Sequence, residues 1–248
     1  MAVSQEKNVM NPTESKKTGN IKGIEVYPFD APGSLIEYAD ASKGILVAVN
    51  AEKVVNADDR LREIINGNIG YCDGVGAVKA LRRKGFADVV RIPGCELWLH
   101  IVARFHASKS FYLIGSTTEV IDTVVKKLRA AYPGINILGA RNGFIADDAE
   151  RAALIDDVAA KKPDVVFVAM GSPRQEFLMQ EMQRRHPHAI YQGLGGSFDV
   201  YSGKQQRVPK WWIDHNLEFA YRFVITPKRL PRITSYLKYA CLLYTNKL

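Results

Sequence analysis

Short apolar runs alternate with longer amphipathic stretches along most of the chain, from residue 21 to about residue 203. Some runs are apolar at every position, as in Val165-Val166-Phe167-Val168-Ala169, which is the pattern of strands covered on both faces. The runs predict strands at residues 21–26, 44–50, 69–72, 110–115, 136–139, 164–170 and 189–193. The stretches between them predict helices at residues 34–42, 58–66, 75–84, 95–107, 118–131, 149–161 and 173–186. This alternation indicates an α/β fold with a Rossmann-like parallel sheet.

The two ends of the chain depart from this pattern. Residues 1–20 are polar and lack periodicity, so we predict a disordered segment there, followed by a core domain at residues 21–205. Residues 206–248 begin with a predicted aromatic helix and then pass a break at Pro227 and Pro231. The residues of this helix that we single out are Trp211, Trp212, Leu217, Phe219, Ala220 and Phe223. Residues 206–248 end in a predicted helix with apolar residues on one side, namely Ile233, Tyr236, Leu237, Ala240 and Leu243 or Tyr244. We interpret this last segment as a helical appendage to the sheet.

The formal net charge of +8 is concentrated near the C-terminus. From Arg207 onward, eight Lys and Arg residues stand against only Asp214 and Glu218. A basic end can bind nucleic acid, an anionic membrane or a phosphate-rich substrate. No apolar run approaches the roughly 18–20 residues that cross a bilayer, so a membrane role must come from lying on its surface. The three cysteines lack metal-binding spacing and fit a reducing cytosol.

Polar and glycine-rich turns follow five of the predicted strands. They are residues 50–53 (Asn-Ala-Glu-Lys), 73–76 (Asp-Gly-Val-Gly), 115–117 (Gly-Ser-Thr), 171–176 (Gly-Ser-Pro-Arg-Gln-Glu) and 193–199 (Gly-Leu-Gly-Gly-Ser-Phe-Asp). The carboxyl ends of parallel strands share one edge of a sheet, and ligands bind beyond that edge. Glycine turns that open helices present free backbone N–H groups to phosphate. The sequence therefore predicts a nucleotide pocket that includes Gly171, Gly195 and Gly196.

Four side chains in these turns are candidates for binding or chemistry. Asp73 stands where an apolar strand meets a Gly-x-Gly turn, so its carboxylate can act as a catalytic group or cap the following helix. Asn50 and Gln175 can hydrogen-bond a sugar or a uracil, or stabilise their turns. Asp199 can bind a hydroxyl or form an Asx-turn. The residue pattern leaves both interpretations open in each case.

Several familiar kinds of site are missing from the sequence. No Asp-x-Asp motif occurs and the five histidines are scattered, so we predict neither a metal nor another cofactor. A leaving diphosphate would then depend on helix N-termini and on arginines, for which the candidates are Arg91, Arg207, Arg222, Arg229 and Arg232. The lack of a dinucleotide fingerprint argues against an NAD-dependent oxidoreductase. A nucleic-acid-binding module would explain the basic end but not the five turns, so we predict no nucleic-acid partner.

Taken in order, six motifs resemble those of the WecG/TagA/CpsF glycosyltransferases (glycosyltransferase family 26). They are Val49-Asn50-Ala51-Glu52-Lys53, Asp73-Gly74-Val75, Arg91-x-x-Gly94-x-Glu96-Leu97, Gly171-Ser172-Pro173-x-Gln175-Glu176, Gly195-Gly196-Ser197-Phe198-Asp199 and Arg207-x-Pro209. The resemblance runs from about residue 21 to the C-terminus. It implies inverting, metal-independent glycosyl transfer on a Rossmann-like fold of the type called GT-E.

The resemblance also implies roles for particular residues. Asp73 matches the general base that takes a proton from the acceptor hydroxyl. The donor pocket would include Asn50, Arg91, Gln175 and Asp199. The substrate diphosphate and the acceptor would meet the arginines of the appendage, which are Arg207, Arg222, Arg229 and Arg232.

The tail is similar to that of the family's enterobacterial-common-antigen branch. This similarity implies UDP-N-acetylmannosaminuronic acid (UDP-ManNAcA) as donor and undecaprenyl-diphosphate-linked N-acetylglucosamine as acceptor, at the cytoplasmic face of a bacterial inner membrane. UDP-ManNAc and UDP-glucose are the alternative donors. A uronate carboxylate needs a cationic partner, for which Lys53, Lys79 and Arg91 are candidates. Relatives in the teichoic-acid branch carry a threonine at the position of Ala48, so a role for that hydroxyl does not transfer.

Two arrangements are open for the appendage. In the one we favour, its apolar face dips into the membrane interface while Lys and Arg meet anionic headgroups. In the other, its aromatic residues pack on the protein's own core. The two can alternate if the tail closes over bound donor. The sequence does not specify the oligomeric state, and a homo-oligomer is compatible with it.

Overall fold

The computed structural model describes residues 17–215, 218–225, 230, 232–245 and 247–248. Its main sheet has six strands, β3 (Gly44–Val49), β4 (Ile69–Cys72), β5 (Ser110–Gly115), β6 (Asn136–Arg141), β7 (Val165–Ala169) and β8 (Ile190–Gly193). The strands lie in the order β4-β3-β8-β7-β5-β6, and every neighbouring pair is parallel. The predicted α/β fold with a parallel sheet is therefore confirmed, and all six carboxyl ends lie at one edge.

Twelve α-helices occur in the described part of the chain. They are α1 (Pro32–Ser42), α2 (Ala51–Asn56), α3 (Asp59–Asn66), α4 (Val75–Arg83), α5 (Gly94–Phe105), α6 (Thr118–Ala131), α7 (Asp148–Lys161), α8 (Arg174–Arg185), α9 (Ser197–Ser202), α10 (Lys210–Asp214), α11 (Glu218–Ile225) and α12 (Ile233–Tyr244). Side-chain caps fix several of their starts. Asp58, Thr117 and Asp147 each accept a hydrogen bond from the backbone N–H three residues on, which satisfies a donor that the helix itself leaves unpaired.

Buried clusters on both faces of the sheet explain why strands such as β3 and β7 are apolar throughout. Successive side chains of a strand point to opposite faces. Along β3, Ile45 and Val47 belong to a cluster with residues of α3, α7 and α8, whereas Leu46 belongs to a second cluster with residues of α1, α5 and α6. Apolar side chains on both faces of β3 therefore pack against helices.

The N-terminal part of the core differs from the prediction. The single strand predicted at residues 21–26 is a hairpin of β1 (Gly19–Ile21) and β2 (Ile24–Val26), which pair antiparallel outside the main sheet. The turn between them uses positive φ angles at Lys22 (52°) and Gly23 (81°). Because β1 starts at Gly19, the end of the segment predicted to be disordered is part of a strand, while residues 1–16 lie outside the described residues.

The C-terminal segment is helical, as predicted, but part of it belongs to the core. On α12, Tyr239 and Leu243 are buried against α2 and α4, and Ser235 hydrogen-bonds the side chain of Asn56 at 2.9 Å. This face shows the core-packed arrangement that the sequence left as the alternative. The opposite face carries Leu237 and Tyr244, which are 65% and 72% exposed. No helix in the described ranges is long and apolar enough to cross a bilayer.

Candidate active site

The polar turns predicted from the sequence meet at the carboxyl edge of the sheet. Asn50 follows β3, Asp73 follows β4, Ser116 follows β5, Gly171 follows β7 and Gly195 follows β8. Because β8 lies between β3 and β7, the last glycine turn is flanked by the turns that contain Asn50 and Gly171. The strand order therefore brings together residues far apart in sequence.

The Asp73 side chain is anchored at this edge by a hydrogen bond. Its Oδ1 accepts a hydrogen bond of 2.7 Å from the backbone N–H of Gly94, the first residue of α5. The next helix along the chain, α4, has Gly74 as its N-cap residue and no side-chain cap, so the interpretation of Asp73 as the cap of that helix is wrong. Within the described residues no hydrogen bond reaches Oδ2. One carboxylate oxygen is thus anchored, and the other can face a substrate.

Gly94, whose N–H anchors Asp73, is tightly packed. A Cβ atom at Gly94 would lie 2.9 Å from the hydroxyl of Tyr71, too close for any other residue without a shift. The buried Gln192 donates from Nε2 to the carbonyl of Gly94 at 3.2 Å. Burial raises the pKa of Tyr71, and the charge of Asp73 raises it further, so this hydroxyl stays protonated beneath the carboxylate.

Arg91 ties the Asp73 turn to the C-terminal segment. Its Nε donates to the backbone carbonyl of Asp73 at 2.9 Å, and its Nη2 lies 2.6 Å from Oε2 of Glu218 on α11. Both side chains of this ion pair are more than three-quarters buried. Arg91 is therefore at the predicted site, but a carboxylate of the appendage already meets its charge.

Asn50 and Gln175 both stabilise turns. Asn50 caps α2, with Oδ1 accepting from the backbone N–H of Lys53 at 3.1 Å. The amide of Gln175 is buried, and its Oε1 accepts from the N–H groups of Gly171 at 3.1 Å and Gly195 at 2.9 Å. The expectation that these two glycine N–H groups are free for phosphate is therefore wrong, although both glycines lie in the predicted pocket.

The model of the glycosyl transferase WecG/TagA/CpsF family matches residues 20–248, nearly the whole chain. The chain belongs to this family. Among solved structures, it resembles one titled "Crystal Structure of Arylmalonate Decarboxylase" at 14% identity and a TM-score of 0.26, over 70% of this chain and 74% of that one.

In this WecG/TagA/CpsF glycosyltransferase, the predicted appendage arginines pair with core carboxylates where the structure describes them. Arg207 contacts Glu96 of α5, and Arg232 lies 3.1 Å from Glu52 of α2. Of the other two, Arg222 lies in α11 and only its backbone is described. Arg229 is outside the described residues. Contacts of these four arginines with substrate stay a prediction.

Asp199 forms a hydrogen bond within the pocket. Its Oδ1 accepts from the hydroxyl of Ser116 at 2.8 Å, which links the turn after β5 to α9. Ser116 has a positive φ of 55°, a conformation that few non-glycine residues adopt. Asp199 therefore has a hydrogen-bond partner within the protein, and its binding of a donor hydroxyl stays a prediction.

Phe144 was missed by the sequence reasoning. It follows β6 at the same edge, and its side chain is 69% exposed. Its backbone is fixed on both sides, because its N–H donates to Oδ1 of Asn142 at 3.0 Å and its carbonyl accepts from Arg141 at 2.8 Å. A flat nucleobase can stack on an exposed aromatic ring. The available signal was a lone aromatic in the polar Asn-Gly-Phe turn.

The part of the chain that the structure describes contains no cluster of three or more His, Cys, Asp or Glu side chains suited to a metal ion. The guanidinium of Arg91 is bound to the turn of the candidate base, with Nε 2.9 Å from the backbone carbonyl of Asp73. Metal-independent transfer stays a prediction, which an activity measurement in solution can test.

Proposed function

We propose that this glycosyltransferase moves a sugar from a UDP-sugar to a lipid-diphosphate-linked acceptor, with Asp73 as general base. One observation carries the assignment of the base. Asp73 is anchored through Oδ1 at the carboxyl edge while its Oδ2 has no partner among the described residues. A general base needs this combination of a fixed position and an available lone pair.

The proposed reaction is a single displacement. Asp73 takes the proton of the acceptor hydroxyl as that oxygen forms a bond to the anomeric carbon. The bond between this carbon and the UDP oxygen breaks on the opposite face, which inverts the configuration. The charge that develops on UDP would be met by arginine side chains and backbone N–H groups, without a metal.

For the donor we propose UDP-ManNAcA, and for the acceptor undecaprenyl-diphosphate-linked N-acetylglucosamine. The tail motif of the enterobacterial-common-antigen branch supports this choice over UDP-ManNAc or UDP-glucose. Of the three cations considered for the uronate, Lys53 is buried beside Glu176. This leaves the exposed Lys79 and also Arg91, whose partner Glu218 lies on the appendage.

We also propose that the enzyme works on the cytoplasmic face of an inner membrane. The exposed apolar side chains of the appendage, including Trp211, Leu237 and Tyr244, would enter the interface. The basic residues of the same segment would meet anionic headgroups, each contributing roughly 1 kcal/mol near the surface. This arrangement would bring the pocket to a substrate whose lipid stays in the bilayer.

The test is to incubate purified protein with polyprenyl-diphosphate-GlcNAc and UDP-ManNAcA in the presence of EDTA. UDP release and a disaccharide-lipid product detected by mass spectrometry would establish donor, acceptor and metal independence together. Turnover with UDP-ManNAc or UDP-glucose alone would move the protein to another pathway. Activity that returns only when a divalent cation is added would contradict the cation-independent account, and no turnover with any donor would contradict the proposal.

A further inference from the structure

A buried ion pair lies beneath the turns of the proposed donor pocket. Nζ of Lys53 is 2.7 Å from Oε1 of Glu176, and the two side chains are 10% and 1% exposed. The same ammonium donates to the carbonyl of Ala48 in β3 at 3.0 Å. The pair therefore joins α2 and the end of β3 to the start of α8.

Stability alone is a weak reason for such a pair. Removing both charges from water costs free energy that their attraction regains only in part, and well-packed apolar replacements are often as stable or more so. A neutral core would thus have sufficed to hold α2 against α8. The location of the pair points to another purpose.

Glu176 dictates the orientation of its neighbour Gln175. An ionised carboxylate only accepts hydrogen bonds, so the amide nitrogen of Gln175 must face it, and the two atoms are 3.2 Å apart. The amide oxygen is then turned toward the turns that follow β7 and β8, where it accepts from both Gly171 and Gly195. If the amide were reversed, two N–H groups would face an NH₂ group and both bonds would be lost.

Lys53 stabilises the ionised form of Glu176. Burial raises the pKa of Glu176, but the Lys53 charge and the hydrogen bonds from Lys53 and Gln175 outweigh it, so the net pKa lies below the usual value. The backbone of Lys53 is in turn bound by the cap Asn50. One connected set of bonds therefore spans the turns after β3, β7 and β8.

We propose that Lys53 and Glu176 are positioning residues, which set the spacing of the donor-binding turns by fixing the orientation of the Gln175 amide. This inference rests on the proposed function, because it takes these turns as the site of a UDP-sugar. It also assigns the Lys53 ammonium to the protein interior rather than to a uronate carboxylate.

The test measures UDP binding by calorimetry, together with thermal stability and donor KM and kcat. The isosteric change Glu176→Gln removes the charge that orients Gln175, and the double change Lys53→Met with Glu176→Met replaces the pair by apolar groups of similar size. We expect the double variant to melt near the wild-type temperature yet bind UDP about 10-fold more weakly or worse, since misplaced binding groups lose this much or more. The donor KM should rise by a similar factor, with a smaller change in kcat at saturating donor.

A second ion pair of α8 provides the matched control. Glu181 pairs with Arg151 of α7 at 2.6 Å, further along the helix from the carboxyl edge. Arg151→Met with Glu181→Met should leave UDP binding unchanged. If the Lys53/Glu176 double variant does not fold, Glu176→Gln is judged by the same binding criterion.

The outcomes separate this inference from the proposed function. Wild-type protein that binds UDP, with variants that bind it equally well, would overturn the positioning role and leave the proposed function standing. Full recovery of both stability and UDP affinity in the double variant would show that the pair is only structural. Wild-type protein that does not bind UDP would overturn the proposed function and this inference with it.

Discussion

Asp73→Asn separates the chemistry of the proposed base from its structural contact. Asparagine has the same size and keeps an Oδ1 acceptor for the N–H of Gly94, which lies 2.7 Å away. What it loses is the basicity of the oxygen that has no partner in the described structure. A positioned general base contributes about 10²–10⁴-fold, which corresponds to about 3–5 kcal/mol of activation free energy.

The expected change in stability is much smaller. A hydrogen bond to a charged acceptor contributes about 1.5–3 kcal/mol and one to a neutral acceptor about 0.5–1.5 kcal/mol, so the substitution should destabilise the fold by about 1 kcal/mol. Asp73→Ala is a poorer test. It leaves the N–H of Gly94 without its acceptor at a cost of about 1–3 kcal/mol, so lost activity and lost structure would be mixed.

The assay records initial rates of UDP release at saturating donor, UDP affinity and melting temperature. Asp164→Asn is the matched control, because this carboxylate also holds a backbone N–H, that of Ser110 at 2.8 Å, but next to the amino end of β7. We expect wild-type turnover from the control. An Asp73→Asn enzyme with more than about a tenth of the wild-type rate would refute the assignment of the base.

Three further changes test other features. Changing the exposed Trp211 and Leu237 to Glu should weaken binding to anionic vesicles more than about tenfold, since burying each contributes about 1.5–3 kcal/mol; unchanged co-sedimentation would exclude this face as the anchor. Tyr239→Phe should keep or raise stability, because the buried hydroxyl has no partner among the described residues, whereas Tyr239→Ala should lose about 3–5 kcal/mol in denaturant melts. A Phe variant as weak as the Ala variant would contradict this. The lowered pKa of Glu176 means that its ionised form stabilises the fold above the ordinary Glu pKa and that this contribution is lost as pH falls through the lowered value. The melting-temperature advantage of wild type over Glu176→Gln should therefore shrink on acidification, and an advantage independent of pH would argue against an ionised Glu176.

The strands of the main sheet could be predicted from the local pattern of apolar and polar residues. Apolar runs bounded by polar turns placed β4 at Ile69–Cys72 and β5 at Ser110–Gly115 without error, and α6 at Thr118–Ala131 as well. Two short helices, α2 and α9, were missed. Each has six residues, fewer than two turns, and each begins in a motif whose polar and glycine residues resemble a loop.

The hydrogen-bond and ion-pair partners of the site residues could not be predicted from the local sequence pattern. Asp73 bonds to Gly94, and Gln175 bonds to Gly195, because the strand order brings distant turns together. The same holds for the pairing of Arg91 with Glu218, which connects an appendage carboxylate to the turn of the candidate base through one arginine side chain. The sequence identified which residues gather at the edge, while the fold decides which of their atoms are already bonded.

The place of β8 in the sheet has a consequence for biosynthesis. Gly44 pairs with Ile190, so the edge of β3 that faces β8 has no neighbour until the last strand of the sheet has been made. Pairing over such a distance along the chain slows folding, and an open strand edge invites association with other chains. We therefore expect the sheet to close late, and the nascent chain to be prone to association with other chains until residue 193 has left the ribosome.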